Sequence, residues 1–191
     1  MTWKSWWYRQ RANFFLFLHR PRRAIAELET VLTIDPSNIF AKNTLGFLYG
    51  EAGNFPRAAE QLESVARLQP ENAGVLFNLG FIYQKQGTHP KAIEYFTAAV
   101  KINPSLDRAW FGLGLSHAAE GRHQQAISDF ERAAKLQPMN PHALYELGMQ
   151  YHALKNPEKV AHTIERLKQF DPKATQQLLR ATAPNTSTRL N

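Results

Sequence analysis

The sequence predicts an all-α protein, an α-solenoid built from stacked helix-turn-helix repeats. Prolines recur at a constant step of 34 residues, at Pro36, Pro70, Pro104, Pro138 and Pro172. Glycines preceded by leucine recur with the same step, at Gly46, Gly80, Gly114 and Gly148. Within each period, apolar residues follow one another at intervals of three and four in two separate stretches, as they do in amphipathic helices. A fixed period of this length is typical of a stacked repeat array.

Each period is predicted to hold two closely packed helices. The first helix carries the leucine–glycine pair, and the second carries a small residue in a constant phase, at Ala58, Ala92 and Ala126. Small residues at these positions let the two helix backbones approach each other. The recurring proline cannot continue the second helix and therefore ends it. An asparagine two residues later is placed to cap the next helix, at Asn38, Asn72 and Asn140.

The order of these residues resembles the tetratricopeptide repeat family, whose pattern is Trp-x2-Leu-Gly-x2-Tyr, then Ala-x3-Phe, then Pro. The resemblance covers four full repeats, at residues 39–72, 73–106, 107–140 and 141–174. The last repeat departs from the pattern, because Lys155 stands where glycine is usual and Val160 and Leu167 stand where alanine is usual. The resemblance implies that the repeats stack into a right-handed superhelix whose first helices line a concave groove.

The two ends of the chain are predicted to differ from the regular repeats. Residues 1–38 are expected to form a degenerate capping unit of the same kind, with a basic and aromatic first helix and with Ala12 in the phase of the glycine. Residues 175–183 are expected to form a short capping helix with Leu178 and Leu179 turned inward. Residues 184–191 are expected to be a disordered tail.

Composition argues against catalysis. The chain has no cysteine, which removes disulfides and thiol chemistry, and its seven histidines lack the spacings His-x3-His and His-Glu-x2-His. It has no glycine-rich phosphate loop. We therefore expect no enzyme activity, no cofactor and no metal. No apolar run approaches the roughly 20 residues that span a bilayer, and the run at residues 14–18 is too short for a signal peptide, so we expect a cytoplasmic protein.

Charge and aromatic residues are concentrated at the N-terminus. Residues 1–26 hold six basic side chains and no acidic one, against a formal net charge of +7 for the whole chain. The same segment contains the side chains proposed for a membrane or partner surface, Trp3, Trp6, Trp7, Arg9 and Arg11. Tryptophan and arginine together suit an interfacial helix at a membrane surface, an acidic protein surface or a self-association contact. Simple packing of this helix on the first repeat is the alternative.

The resemblance also implies which residues face the groove, since the second, fifth, ninth and twelfth positions of each first helix point into it. The expected partner-binding residues are Asn43, Phe47, Phe77, Phe81, Arg108, Phe111, Leu115, Tyr145 and Met149. Most are apolar, so an exposed stripe of them would bind an apolar peptide or an amphipathic helix of a partner protein. They do not fit the family's carboxylate clamp for chaperone tails, because Phe77 and Phe111 occupy places where basic groups are needed.

These observations favour a non-enzymatic protein–protein interaction adaptor or scaffold, and the regular repeats with their Asp-Pro and Asn-Pro turns favour a bacterial one. Two alternatives stay open. One is a peripheral membrane-associated assembly factor targeted by its Trp/Arg-rich N-terminal helix. The other is a self-assembling scaffold, a homo-oligomer in which the N-terminus of one copy fills the groove of the next. We expect no nucleic-acid partner, because the repeat region is nearly neutral and the basic residues do not continue along it.

Overall fold

The computed structural model describes residues 3–183, and the tail predicted at 184–191 lies outside them. Within the described residues the chain forms eleven helices and no strand. In chain order they are α1 (Trp3–Phe17), α2 (Pro21–Ile34), α3 (Ile39–Glu51), α4 (Phe55–Leu68), α5 (Ala73–Lys85), α6 (His89–Ile102), α7 (Asp107–Ala119), α8 (His123–Leu136), α9 (Pro141–Ala153), α10 (Pro157–Lys168) and α11 (Pro172–Thr182). The architecture is an all-α solenoid of helical repeats, as predicted.

The helices divide into two compact units. The first unit extends to Ile102 and contains three helix pairs, α1 with α2, α3 with α4, and α5 with α6. Successive pairs in this unit are joined by packing of α2 on α3 and of α4 on α5. The second unit begins at Asn103, and in it α7 packs on α8 while α9 packs on α8, α10 and α11.

Glycine in α3, α5, α7 and α9 allows a large side chain to lie directly against the helix backbone. A Cβ atom on Gly80 would lie 2.6 Å from Cδ1 of the buried Phe96, and a Cβ on Gly114 would lie 2.7 Å from Cε1 of the buried Phe130. Both distances are shorter than real Cβ contacts, so only glycine fits without rearrangement. In these two helix pairs the recurring glycine therefore marks the contact between the first helix and the second.

Turns and caps follow from local chemistry. The asparagine caps are confirmed, since Asn38, Asn72 and Asn140 each accept a hydrogen bond from a backbone N–H in the next helix. The turn inside the last repeat needs a positive φ, and Lys155 adopts it with φ 54° where the regular repeats have glycine. A residue with a Cβ is strained in this region of backbone conformation, so this turn is less favourable than the equivalent glycine turns at Gly53, Gly87 and Gly121.

The last helix begins earlier than predicted, and one of the two leucines that were expected to be buried is exposed. α11 starts at Pro172, because the side chain of Asp171 accepts a hydrogen bond from the Ala174 N–H at 2.8 Å and proline suits the first helical turn. Leu178 is fully buried and lies against Gly148, as expected for an inward residue. The expectation for Leu179 was wrong: it is exposed, since adjacent residues on a helix face directions about 100° apart.

Candidate functional site

Three exposed phenylalanines define the apolar surface of the first unit. Phe40 and Phe47 lie on α3, seven residues and therefore two turns apart on one side of the helix. Phe81 lies on α5 at the position equivalent to Phe47, and α3 contacts α5 directly. Phe47 is 62% exposed, and the other two rings are also exposed. We call these three residues the α3–α5 face.

Two cations lie against this face. The guanidinium carbon of Arg9 is 5.1 Å from the ring centroid of Phe40, and the ammonium nitrogen of Lys85 is 5.3 Å from that of Phe81. Cations at such distances are attracted to the negative face of an aromatic ring. Neither α3 before its last residue nor α5 carries an acidic side chain. The face is therefore apolar with positive charge at two of its three rings.

The rings of Phe77 and Phe111 contact the hydrophobic core, although both residues were predicted to face the groove. The Phe77 ring centroid lies 5.9 Å from that of buried Phe96, in a tilted arrangement, and the Phe111 ring lies 5.6 Å from that of buried Phe130. Both rings are half-buried. Aromatic pairs at these distances and angles stabilise a fold, so these two residues combine a structural role with partial exposure.

The other predicted groove residues divide in the same way. In the second unit, Leu115, Tyr145 and Met149 are half-buried and pack against the hydrophobic core. Asn43 is half-buried on α3, and Arg108 is exposed at the start of α7. Of the nine residues predicted for the groove, only Phe47 and Phe81 are exposed apolar side chains. Phe40 was missed, although it occupies the second position of its repeat, one that the same phase argument assigns to the groove.

The N-terminal surface residues also fall into two groups. Trp3, Trp6 and Trp7 are exposed on α1. Arg11, by contrast, forms an ion pair of 2.8 Å with Glu27 on α2, and Arg9 lies over Phe40. The tryptophans thus face away from the packed helices, while the two arginines make contacts within the chain.

A recurring polar contact joins successive repeats. Tyr49 donates its hydroxyl to Glu29 at 2.5 Å, and Tyr151 donates to Glu131 at 2.7 Å. Tyr83 donates to Glu63 in the same way. In each case the glutamate lies twenty residues earlier, on the second helix of the preceding repeat. Burial, followed by the bond to Glu131, raises the pKa of Tyr151 to about 12, so the phenol stays a donor at neutral pH.

The third full repeat replaces this tyrosine with histidine and changes the partner. Nδ1 of His117 lies 2.7 Å from Oδ2 of Asp129, in a hydrogen bond within its own helix pair. Burial raises the pKa of the Asp129 carboxyl above its ordinary 3.8, although the bond from His117 acts in the opposite direction. Among residues 3–183 no three histidine, aspartate or glutamate side chains come together as a metal site requires.

Among residues 3–183, no helix is both long enough and apolar enough to pass through a membrane.

Comparison with known proteins agrees with this architecture. Two family models described as tetratricopeptide repeat match residues 43–107 and 107–140, together about half of the chain. Among solved structures, YrrB, described as a TPR protein with an unusual peptide-binding site, is 26% identical with a TM-score of 0.80 and covers 91% of this chain and 89% of its own. No curated protein matches the chain significantly in sequence.

Structures of MamA are similar as well. One MamA structure is 22% identical with a TM-score of 0.78, covering 90% of this chain and 96% of that one. MamA 41-end from Desulfovibrio magneticus RS-1 is 19% identical with a TM-score of 0.82, covering 96% and 99%. At these identities the likeness shows the fold.

Proposed function

This chain belongs to the tetratricopeptide repeat family, and we propose that it is a protein–protein interaction scaffold that binds a peptide or an amphipathic helix of a partner protein on the α3–α5 face. The observation that carries the proposal is the exposure of Phe40, Phe47 and Phe81 on two adjacent first helices. A cluster of exposed rings costs solvation free energy in the free protein, and a partner that covers it recovers that cost.

The charges near the rings describe the partner's chemistry. Arg9 and Lys85 place positive charge beside Phe40 and Phe81, and no acidic side chain precedes Glu51 on α3 or occurs on α5. A peptide that alternates apolar and acidic side chains would cover the rings and pair with the two cations. The similarity to YrrB, a TPR protein with a peptide-binding site, supports the class of ligand.

A peptide-library selection tests this proposal. The purified chain is used to select peptides from a random library, and the dissociation constant of the best peptide is then measured for the wild type and for Phe47→Ala/Phe81→Ala. Because aromatic anchors dominate such interfaces, we expect the variant to bind about tenfold or more weakly. The unfolding free energy should change by only about 0.5 kcal/mol, since exposed residues contribute little to stability.

The matched control is Phe17→Ala, which removes an equally large exposed ring from α1. It should bind the selected peptide as the wild type does. If the wild type and the double variant select the same peptides and bind them with equal affinity, the binding surface does not lie on α3 and α5. Loss of binding accompanied by unfolding would identify the two rings as structural.

A further inference from the structure

One side of α1 is exposed, whereas the same side of α3, α5 and α9 is buried against the preceding helix of the same unit. In α3 the equivalent positions are Ala41 and Leu48, both buried where α3 packs on α2. In α5 they are Val75 and Ile82, also buried, where α5 packs on α4. In α9 they are Ala143 and Gln150, again buried beside α8. These positions are thus the ones by which a first helix contacts the helix before it.

In α1 these two positions are Trp7 and Phe14, and both are exposed. Trp3 and Phe17 lie on the same side, because steps of four, seven and three residues return a helix to nearly the same direction. Trp3 is 73% exposed and Phe17 is 80% exposed. The opposite side carries Ser5 and Ala12, both fully buried. The helix therefore packs inward through small residues and presents a stripe of four large aromatic rings outward. We call this stripe the α1 aromatic face.

The charge that the first 26 residues bring to this end of the chain is entirely positive. No acidic side chain occurs in residues 1–26, and Lys4 and Arg22 are exposed. Arg11 is held by Glu27, and Arg23 lies over the Phe15 ring at 5.6 Å, so these two are engaged within the chain. The occupant of the face must accordingly be apolar enough to bury the rings and must carry negative charge at its surface.

A second copy of the chain that presented its own α1, or its last helix, does not meet this requirement. If α1 met α1 of another copy, the two basic segments would face each other. The last helix is no better suited, because α11 exposes Lys173 and Arg180 and contains no acidic residue. Like charges brought together across an interface are unfavourable.

We propose that the α1 aromatic face binds the surface of an anionic phospholipid membrane. Tryptophan settles at the level of the lipid headgroups, with its ring in the apolar boundary and its N–H toward water. Lys4 and Arg22 then approach the lipid phosphates, each adding attraction to an anionic surface. The face runs along one exposed side of a single helix, which suits a fluid surface, and it involves none of the residues of the α3–α5 face.

Vesicle sedimentation with the full chain tests the proposal. The probes are vesicles of phosphatidylcholine alone and vesicles of phosphatidylcholine and phosphatidylglycerol in equal parts. The wild type should bind the anionic vesicles and should shift its tryptophan emission to shorter wavelength. The variant Trp3→Ser/Trp7→Ser/Phe14→Ser should bind about tenfold or more weakly, because apolar burial supplies much of the binding of an interfacial helix.

Two further variants keep the test decisive. Phe47→Ser/Phe81→Ser removes exposed rings from the α3–α5 face and should bind vesicles as the wild type does. Lys4→Glu/Arg22→Glu leaves all rings in place and should weaken binding to anionic vesicles, most strongly at low salt. Circular dichroism checks that each variant is folded, and peptide binding on the α3–α5 face should survive the triple substitution, so the two proposals succeed or fail separately.

Absence of binding to anionic vesicles by the folded wild type overturns the proposal. Equal binding to both vesicle compositions overturns it as well, since the basic residues would then play no part. Self-association, or capture of an acidic helical peptide, that depends on Trp3, Trp7 and Phe14 without any vesicle binding would identify the face as a protein interface instead.

Discussion

The second and third full repeats share the same packing within the helix pair but make different polar contacts at one equivalent position. Tyr83 in the second repeat reaches back to Glu63 on the preceding second helix, whereas His117 at the same position in the third repeat bonds Asp129 in its own helix pair. The residue twenty positions before His117 is Thr97, which carries no carboxylate. One substitution pair thus converts a contact between successive repeats into a contact within one repeat.

The packing beneath this difference is unchanged. Gly80 lies against Phe96 in the second repeat, and Gly114 lies against Phe130 in the third, at nearly the same distances. Both phenylalanines are fully buried. The comparison teaches that the period constrains the apolar contact inside each helix pair, while the polar residue above it is free to vary.

The largest predicted effect tests the shared packing. Phe96→Ala and Phe130→Ala should each reduce the unfolding free energy by about 3–5 kcal/mol, the usual cost of emptying a phenylalanine site in a core. Urea denaturation followed by circular dichroism measures both, with Phe81→Ala as a control for loss of an exposed ring. A cost for one variant several times that of the other would show that the two repeats are packed differently after all.

A smaller effect is expected at the pair that distinguishes the third repeat. His117→Ala leaves the buried Asp129 carboxylate without its hydrogen bond, which should cost about 1–3 kcal/mol at neutral pH. Because burial raises the pKa of Asp129, its contribution to stability is complete below the unfolded value of 3.8 and is lost as the pH rises through the folded value. Removing His117 raises that folded value further, so the unfolding free energy of the variant should fall progressively below that of the wild type as the pH rises above the unfolded value.

Denaturation at a series of pH values measures this difference. In the Asp129→Asn background the titrating carboxyl is absent, so adding His117→Ala to Asp129→Asn should change stability without this pH-dependent part. A difference between His117→Ala and the wild type that stays constant from acid to neutral pH would mean that the pair acts by packing alone.

The smallest effect is predicted for the tyrosine contacts. Tyr83→Phe and Tyr151→Phe each remove one hydroxyl and should cost about 1 kcal/mol, the typical net value of a hydrogen bond. The pKa of Tyr151 is raised to about 12, so its contribution is complete below the ordinary value of 10 and is lost as the pH rises through about 12. Between pH 10 and about pH 12, the unfolding free energy of the Tyr151→Phe variant should therefore fall less than that of the wild type. An identical alkaline profile for both proteins would contradict this.

The helical repeat was predictable because its determinants are local or periodic. Gly46, Gly80 and Gly114 recur with the packing residues that lie sixteen positions later, and the asparagine caps act within three residues. The exposure of individual rings was not predictable in this way. Phe77 and Phe81 belong to the same helix and the same predicted groove, yet one packs on Phe96 and the other is exposed.

The sequence by itself determined the repeat length, the helix pairs and the glycine contacts of the regular repeats, because each depends on residues at a constant separation along the chain. Only the tertiary structure decided which aromatic residues are exposed, that Phe40 joins Phe47 and Phe81 on one face, and that Asp129 is the partner of His117. It also showed that Leu178 of α11 fills the place beside Gly148. These features depend on how neighbouring helices cover one another, and the same residue type is buried or exposed according to what lies next to it.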